Sequence, residues 1–120
     1  MLPISPAKVA HVIIRARQFD AGMGAFEGGG SRAAGAELAA FVKGLNEEEK
    51  AALVAVFWIG RGTYGPDELA EAIETARAEA STPTEDYLMG VPLLADYLED
   101  GLEALGLSVE DAEDSVLRMT

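Results

Sequence analysis

The stretch "LNEEEKAALVAVFWIGRG", residues 45–62, decides the fold. Asn46 is a good N-cap, and the three glutamates after it favour the positive end of a helix dipole. The residues that follow are apolar on nearly every side, which is typical of a helix surrounded by other helices. We therefore expect an apolar helix over residues 47–59 at the centre of the protein.

The flanking segments repeat apolar residues at helical spacing, and no run shows the strict alternation of a strand. Ser5 and Pro6 mark the start of a first helix, and Pro92 disfavours helical geometry at Val91. A capping box at residues 108–111 predicts a short last helix. The sequence therefore predicts an all-α protein, a compact bundle of about six helices around the central one.

The length and composition indicate one soluble domain over residues 1–120. The chain is 49% hydrophobic and 25% charged, as in ordinary globular proteins. The segment "DAGMGAFEGGGSRAAGA" has six glycines and no periodicity, so we expect a flexible Gly-rich loop at about residues 20–36. Without cysteine the chain forms no disulfides, and we expect it in the cytoplasm. Its apolar runs are too short to predict a membrane span.

Charge is unevenly distributed along the chain, which has a net charge of −12. Residues 1–45 carry five Lys or Arg against three Asp or Glu, whereas residues 46–120 carry four against eighteen. Such an acidic field repels nucleic acid phosphates and anionic lipid headgroups. We therefore expect neither nucleic acid nor a membrane as a partner.

The segment "FWIGRGTYGPDE", residues 57–68, has the glycine and glutamate spacing of a calcium-binding EF-hand loop. Calcium needs oxygen ligands at the alternate positions of such a loop. Phe57 and Ile59 offer no side-chain oxygen there, and Arg61 is a cation. The segment is therefore interpreted as a turn between helices, and no metal site is predicted.

Arg61 is the most informative single residue, since a guanidinium flanked by glycines can bind a carboxylate or phosphate. A structural role is favoured, because an arginine there can satisfy the last carbonyls of the helix and complement its dipole. Trp58 and Tyr64 are candidates to line a pocket beside Arg61. The alternative interpretation puts Trp58 in the core and Tyr64 at the turn.

Catalytic and metal-binding sets are not apparent in the sequence. The chain has no cysteine, and its one histidine, His11, has an unremarkable context, so no Cys-His or Ser-His-Asp set stands out. Asp96, Glu99, Asp100 and Glu103 share one helix face, but the leucines on the opposite side favour a solvated acidic surface. We predict no catalytic residues and no cofactor.

Two tracts, "FWIGRG" and "TEDYLMGVPLLADYLEDGL", resemble an uncharacterised bacterial family, domain of unknown function 3775. The positions that match are Trp58 to Gly62 and Tyr87 to Leu102. With the helix between them, the tracts cover about the C-terminal two-thirds of the chain. The resemblance implies a small helical bacterial protein and brings no activity or catalytic residues with it.

Two functions are consistent with these observations. The first is a non-catalytic domain that binds another protein or itself through an apolar groove around Trp58, Tyr87, Leu93 and Tyr97. The second is a small-molecule or anion-binding protein whose site is centred on Arg61 and Tyr64. We favour the first, with a protein partner or a homodimer.

Overall fold

The computed structural model describes residues 2–23, 29–79 and 82–107, and every regular element in these ranges is helical. In chain order the helices are α1 (Pro6–Met23), α2 (Gly29–Lys43), α3 (Glu47–Arg61), α4 (Leu69–Ala78), α5 (Thr84–Met89) and α6 (Leu94–Ala104), with a short 3₁₀ turn at Pro66–Glu68. The prediction of a compact all-α bundle is confirmed. The short last helix predicted from the capping box at residues 108–111 lies outside the described residues.

The central position of α3 follows from a sequence that leaves it no polar face. All nine residues from Ala51 to Ile59 are buried. The helix packs against α4 and α6 and has a smaller contact with α5. The central apolar helix predicted at residues 47–59 is thus confirmed, and it continues to Arg61.

The apolar stripes predicted for the other helices face this core. Ser5 caps α1 as predicted, because its Oγ accepts a hydrogen bond from the backbone N–H of Lys8 at 3.2 Å. The apolar residues of these repeats that are buried are Val9, Val12, Ile13, Ala16, Leu38, Val42, Leu45, Ile73, Ala76, Leu94, Leu98 and Leu102.

The start of α3 is fixed by a capping box that also forms a hydrogen bond with α1. The backbone N–H of Glu49 donates to Asn46 Oδ1 at 2.8 Å, and the backbone N–H of Asn46 donates to Glu49 Oε1 at 3.0 Å. The other carboxylate oxygen of Glu49 accepts a hydrogen bond from Lys8 Nζ. This hydrogen bond is the main reason that the pKa of Glu49 lies below its usual value. The hydrogen bond from the backbone of Asn46 is the second reason. The capping carboxylate therefore also joins α1 to α3.

The pair formed by α1 and α2 is more helical than the sequence predicts. The Gly-rich loop expected at about residues 20–36 is helical at both of its ends, since α1 continues to Met23 and α2 begins at Gly29. Glycine costs about 1 kcal/mol in a helix interior. Here α1 packs along α2, and a Cβ on Gly35 would lie 3.0 Å from the ring of Phe19. Helix packing thus offsets the low helix propensity.

The helices α3 and α6 cross with their backbones in contact. A Cβ on Gly101 of α6 would lie 2.2 Å from the carbonyl oxygen of Val56 in α3. Gly60 of α3 approaches the backbone of α6 in the same way. Any larger side chain at these positions would push the helices apart. The close crossing brings the end of α3 beside the start of α6, where the candidate site lies.

Candidate functional site

A cavity of about 310 Å³ lies where the end of α3 meets the connection between α5 and α6, and it is largely open to solvent. We name it the Arg61 groove, and its lining residues are Phe57, Arg61, Tyr87, Gly90, Val91, Pro92, Leu93 and Tyr97. Four residues singled out from the sequence, Arg61, Tyr87, Leu93 and Tyr97, therefore share one cavity. A binding role for them stays a prediction.

The guanidinium of Arg61 is held in place from two sides. Its Nε donates a hydrogen bond to Thr63 Oγ1 at 2.9 Å. Its carbon Cζ lies 4.8 Å from the centroid of the Phe57 ring, in the geometry of a cation–π contact. The side chain nevertheless remains exposed. Arg61 thus presents a positioned positive charge at the edge of the groove.

Two carbonyl groups near the end of α3 are satisfied by the backbone. Gly62, at φ 90°, donates its N–H to the carbonyl of Ile59, and Thr63 donates its N–H to the carbonyl of Trp58. This is the pattern of a Schellman motif. The side chain of Arg61 is therefore not needed for these hydrogen bonds, although its charge still complements the helix dipole.

Leu93 has a strained backbone and an exposed side chain. Its φ of 60° and ψ of 29° place it in the left-handed region, and it is the one non-glycine residue with positive φ in the described ranges. Leucine in this region costs about 1–2 kcal/mol. Its side chain is 58% exposed at the mouth of the groove. The strain is thus located where a leucine contributes nothing to the core.

The floor of the groove is aromatic. Phe57 is buried, and the rings of Tyr87 and Tyr97 meet it edge-on, with ring centroids 6.1 Å and 5.6 Å away. Phe57 was not among the site residues predicted from the sequence. Its spacing of four from Arg61 on one helix is the signal that predicts their contact.

Trp58 and Tyr64 lie on a different side of α3 from the Arg61 groove. Their rings stack with centroids 5.8 Å apart, and the hydroxyl of Tyr64 donates a hydrogen bond to Thr75 Oγ1 at 3.2 Å. Trp58 lines a neighbouring cavity of about 250 Å³ between α3, α4 and the start of α5. Its Nε1 donates to the hydroxyl of Tyr87 at 3.1 Å, so Tyr87 separates the two cavities. The structure therefore places Arg61 with Tyr87 rather than with Tyr64.

The acidic face of α6 lies away from the core. Asp96, Asp100 and Glu103 are exposed, and Glu99 pairs with Arg17 of α1. In the described ranges, no three His, Asp or Glu side chains come together as a metal site. None of the helices in those ranges has the length and apolarity of a membrane span.

The comparisons with known proteins give a family for this chain. No curated protein and no solved structure matches it. The family described as "Protein of unknown function (DUF3775)" matches residues 35–107, a range that includes α3 to α6 and every residue of the Arg61 groove. The chain therefore belongs to the DUF3775 family.

Proposed function

We propose that this protein is a non-catalytic interaction domain that binds a segment of another protein in the Arg61 groove. One observation carries the proposal. Tyr87 and Leu93, 37% and 58% exposed, are the large hydrophobic side chains on the surface of the described residues, and both line this groove. Exposed apolar side chains that converge on one cavity are typical of interaction sites.

The composition and shape of the groove favour a protein segment as the ligand. Two tyrosines and an arginine line it, and these residue types are enriched at the energetic centres of protein interfaces. Small-molecule sites usually enclose most of their ligand, whereas this groove is open. We place the interaction in the bacterial cytoplasm, in line with a chain that lacks cysteine.

The test is native mass spectrometry of the untagged protein isolated gently from its own host, as wild type and as Leu93→Asn. We expect a complex of the wild type with a different polypeptide and its loss in Leu93→Asn, whereas a homodimer would indicate self-association instead. Arg77→Gln, which changes an exposed arginine of α4, is the matched control and should keep the complex. A bare wild-type monomer, or a complex that Leu93→Asn retains, would contradict the proposal.

A second candidate function is the binding of a small carboxylic acid. The observation that favours it is the positioned guanidinium of Arg61 beside an apolar surface. Hexanoate should then raise the melting temperature of the wild type, and the effect should vanish in Arg61→Gln. An equal rise in both proteins would argue against this function.

A further inference from the structure

Arg61 differs from the other arginines whose side chains the structure describes. The ion pairs of those others are Arg15 with Glu37, Arg17 with Glu99, and Arg77 with Glu48 and Glu74. Arg61 forms no ion pair with a described carboxylate, and its one described hydrogen bond goes to Thr63. The chain has 21 acidic residues against nine basic ones, so carboxylates are in large excess. The lack of an ion pair between Arg61 and the described carboxylates therefore does not reflect a shortage of acidic residues.

The orientation of Arg61 leaves its terminal donors available. The hydrogen bond to Thr63 uses Nε, and the contact with Phe57 places Cζ over the ring. The two Nη groups donate no hydrogen bond to any described residue. These groups can hold a carboxylate through parallel hydrogen bonds, and a fixed guanidinium loses less entropy when it does so.

Apolar groups line the same groove as Arg61. Leu93, Val91 and Pro92 form one wall of the groove, with Tyr87 and Tyr97 beside them. An apolar side chain bound there would cover the exposed surface of Leu93 and Tyr87. The groove thus offers one charged contact adjoining one apolar contact.

A carboxylate fits this groove better than a phosphate. Phosphopeptide sites use clusters of arginines, whereas Arg61 is the single cation among the residues that line the groove. A protein with a net charge of −12 also repels a phosphate dianion more strongly than one carboxylate. We infer that the groove recognises a partner segment in which an Asp or Glu side chain stands beside an apolar side chain, with Arg61 binding the carboxylate. The inference rests on the proposed function and adds the chemistry of the partner.

The test begins with a displayed library of random short peptides, selected in parallel on the wild type, Arg61→Gln and Arg77→Gln. We expect the wild type and Arg77→Gln to enrich peptides that carry Asp or Glu next to an apolar residue. Arg61→Gln should enrich apolar peptides without the acidic preference. Synthetic copies of the most enriched peptide, with its acidic residue kept or replaced by the uncharged amide or by phosphoserine, then measure affinity.

The affinities separate the inference from the proposed function. The uncharged amide should weaken binding to the wild type by about tenfold and leave binding to Arg61→Gln unchanged. Apolar peptides without an acidic preference, an acidic preference that survives Arg61→Gln, or tighter binding of phosphoserine would overturn the inference and leave the interaction domain standing. If no peptide is enriched on the wild type, both fail.

Discussion

Gly60 of α3 lies directly against the carbonyl group of Tyr97 in α6, so that a Cβ added to the glycine would be 1.7 Å from the carbonyl oxygen. This contact sets the distance between the two helices. Arg61 follows Gly60 in the chain, and Leu93 and Tyr97 lie at the start of α6. The two sides of the Arg61 groove are therefore positioned by a crossing that only glycine permits.

Replacing Gly60 by alanine should weaken the fold strongly. The added methyl group meets a backbone carbonyl that cannot rotate away, so we expect Gly60→Ala to lower the free energy of unfolding by about 3 kcal/mol. Urea denaturation measures the change. Gly44→Ala is the control, because its Cβ would lie 3.5 Å from the nearest atom, in ordinary contact. A loss in Gly60→Ala no larger than in Gly44→Ala would show that α3 and α6 do not cross this closely.

Replacing Leu93 by asparagine should stabilise the protein while it removes the exposed side chain. Asparagine adopts the left-handed region more readily than leucine, so we expect the free energy of unfolding to rise by about 1 kcal/mol. Leu93→Ala keeps the backbone strain and should give no such gain. Both variants should lose the partner. Denaturation and native mass spectrometry on the same samples test the two effects, and destabilisation by Leu93→Asn would mean that Leu93 serves the fold instead.

The contact between Lys8 and Glu49 should make the free energy of unfolding depend on pH in the acidic range. The pKa of Glu49 is lowered from its usual 4.5, first by the hydrogen bond from Lys8. Its carboxylate therefore stabilises the fold above pH 4.5, and this contribution is lost as the pH falls through the lowered pKa. We expect Glu49→Gln to lower the free energy of unfolding by about 1 kcal/mol at neutral pH and to converge with the wild type in acid. A difference that does not depend on pH would contradict this assignment.

His11 should titrate below the ordinary range of histidine. Its ring stacks on Phe41 with centroids 4.2 Å apart, and its Nε2 accepts a hydrogen bond from Arg15 Nε at 3.1 Å. Burial, and then the charge of Arg15, lower the pKa of His11 from 6.5. The neutral ring thus stabilises the fold above pH 6.5, and the contribution is lost as the pH falls through the folded pKa.

The titration of His11 can be followed by NMR without ambiguity, since the chain has one histidine. We expect a pKa below 6.5 in the wild type and a partial return towards it in Arg15→Met. A pKa at or above 6.5 in the wild type would rule out the neutral, hydrogen-bonded ring.

The sequence predicted the helices well because their signals are local. The cap at Asn46, the apolar run after it and the break before Pro92 all act within a few residues. The Gly-rich segment was predicted less well, since the close packing of Phe19 on Gly35 is a contact between helices that local propensity does not register.

The site was harder to predict because it depends on how α3 and α6 cross. Adjacency in sequence grouped Arg61 with Tyr64, but the chain turns at Gly62, and Tyr64 packs against Trp58 and Thr75 outside the Arg61 groove. The proximity of Arg61 to Tyr97 arises where Gly60 and Gly101 let α3 and α6 meet backbone to backbone, and no local pattern identifies which helices such glycines bring together. Nothing in the sequence predicted the left-handed backbone of Leu93, because leucine rarely adopts that conformation.

The most direct measurement is site-specific photocrosslinking in the native host, with a photoreactive residue in place of Leu93 or, as control, in place of Glu74 on the exposed side of α4. We expect position 93 to give one discrete crosslinked product, whose mass separates a second copy of this chain from another polypeptide. Arg61→Gln should weaken that product. No product from position 93, or the same product from position 74, would contradict the assignment of the Arg61 groove as the interaction surface.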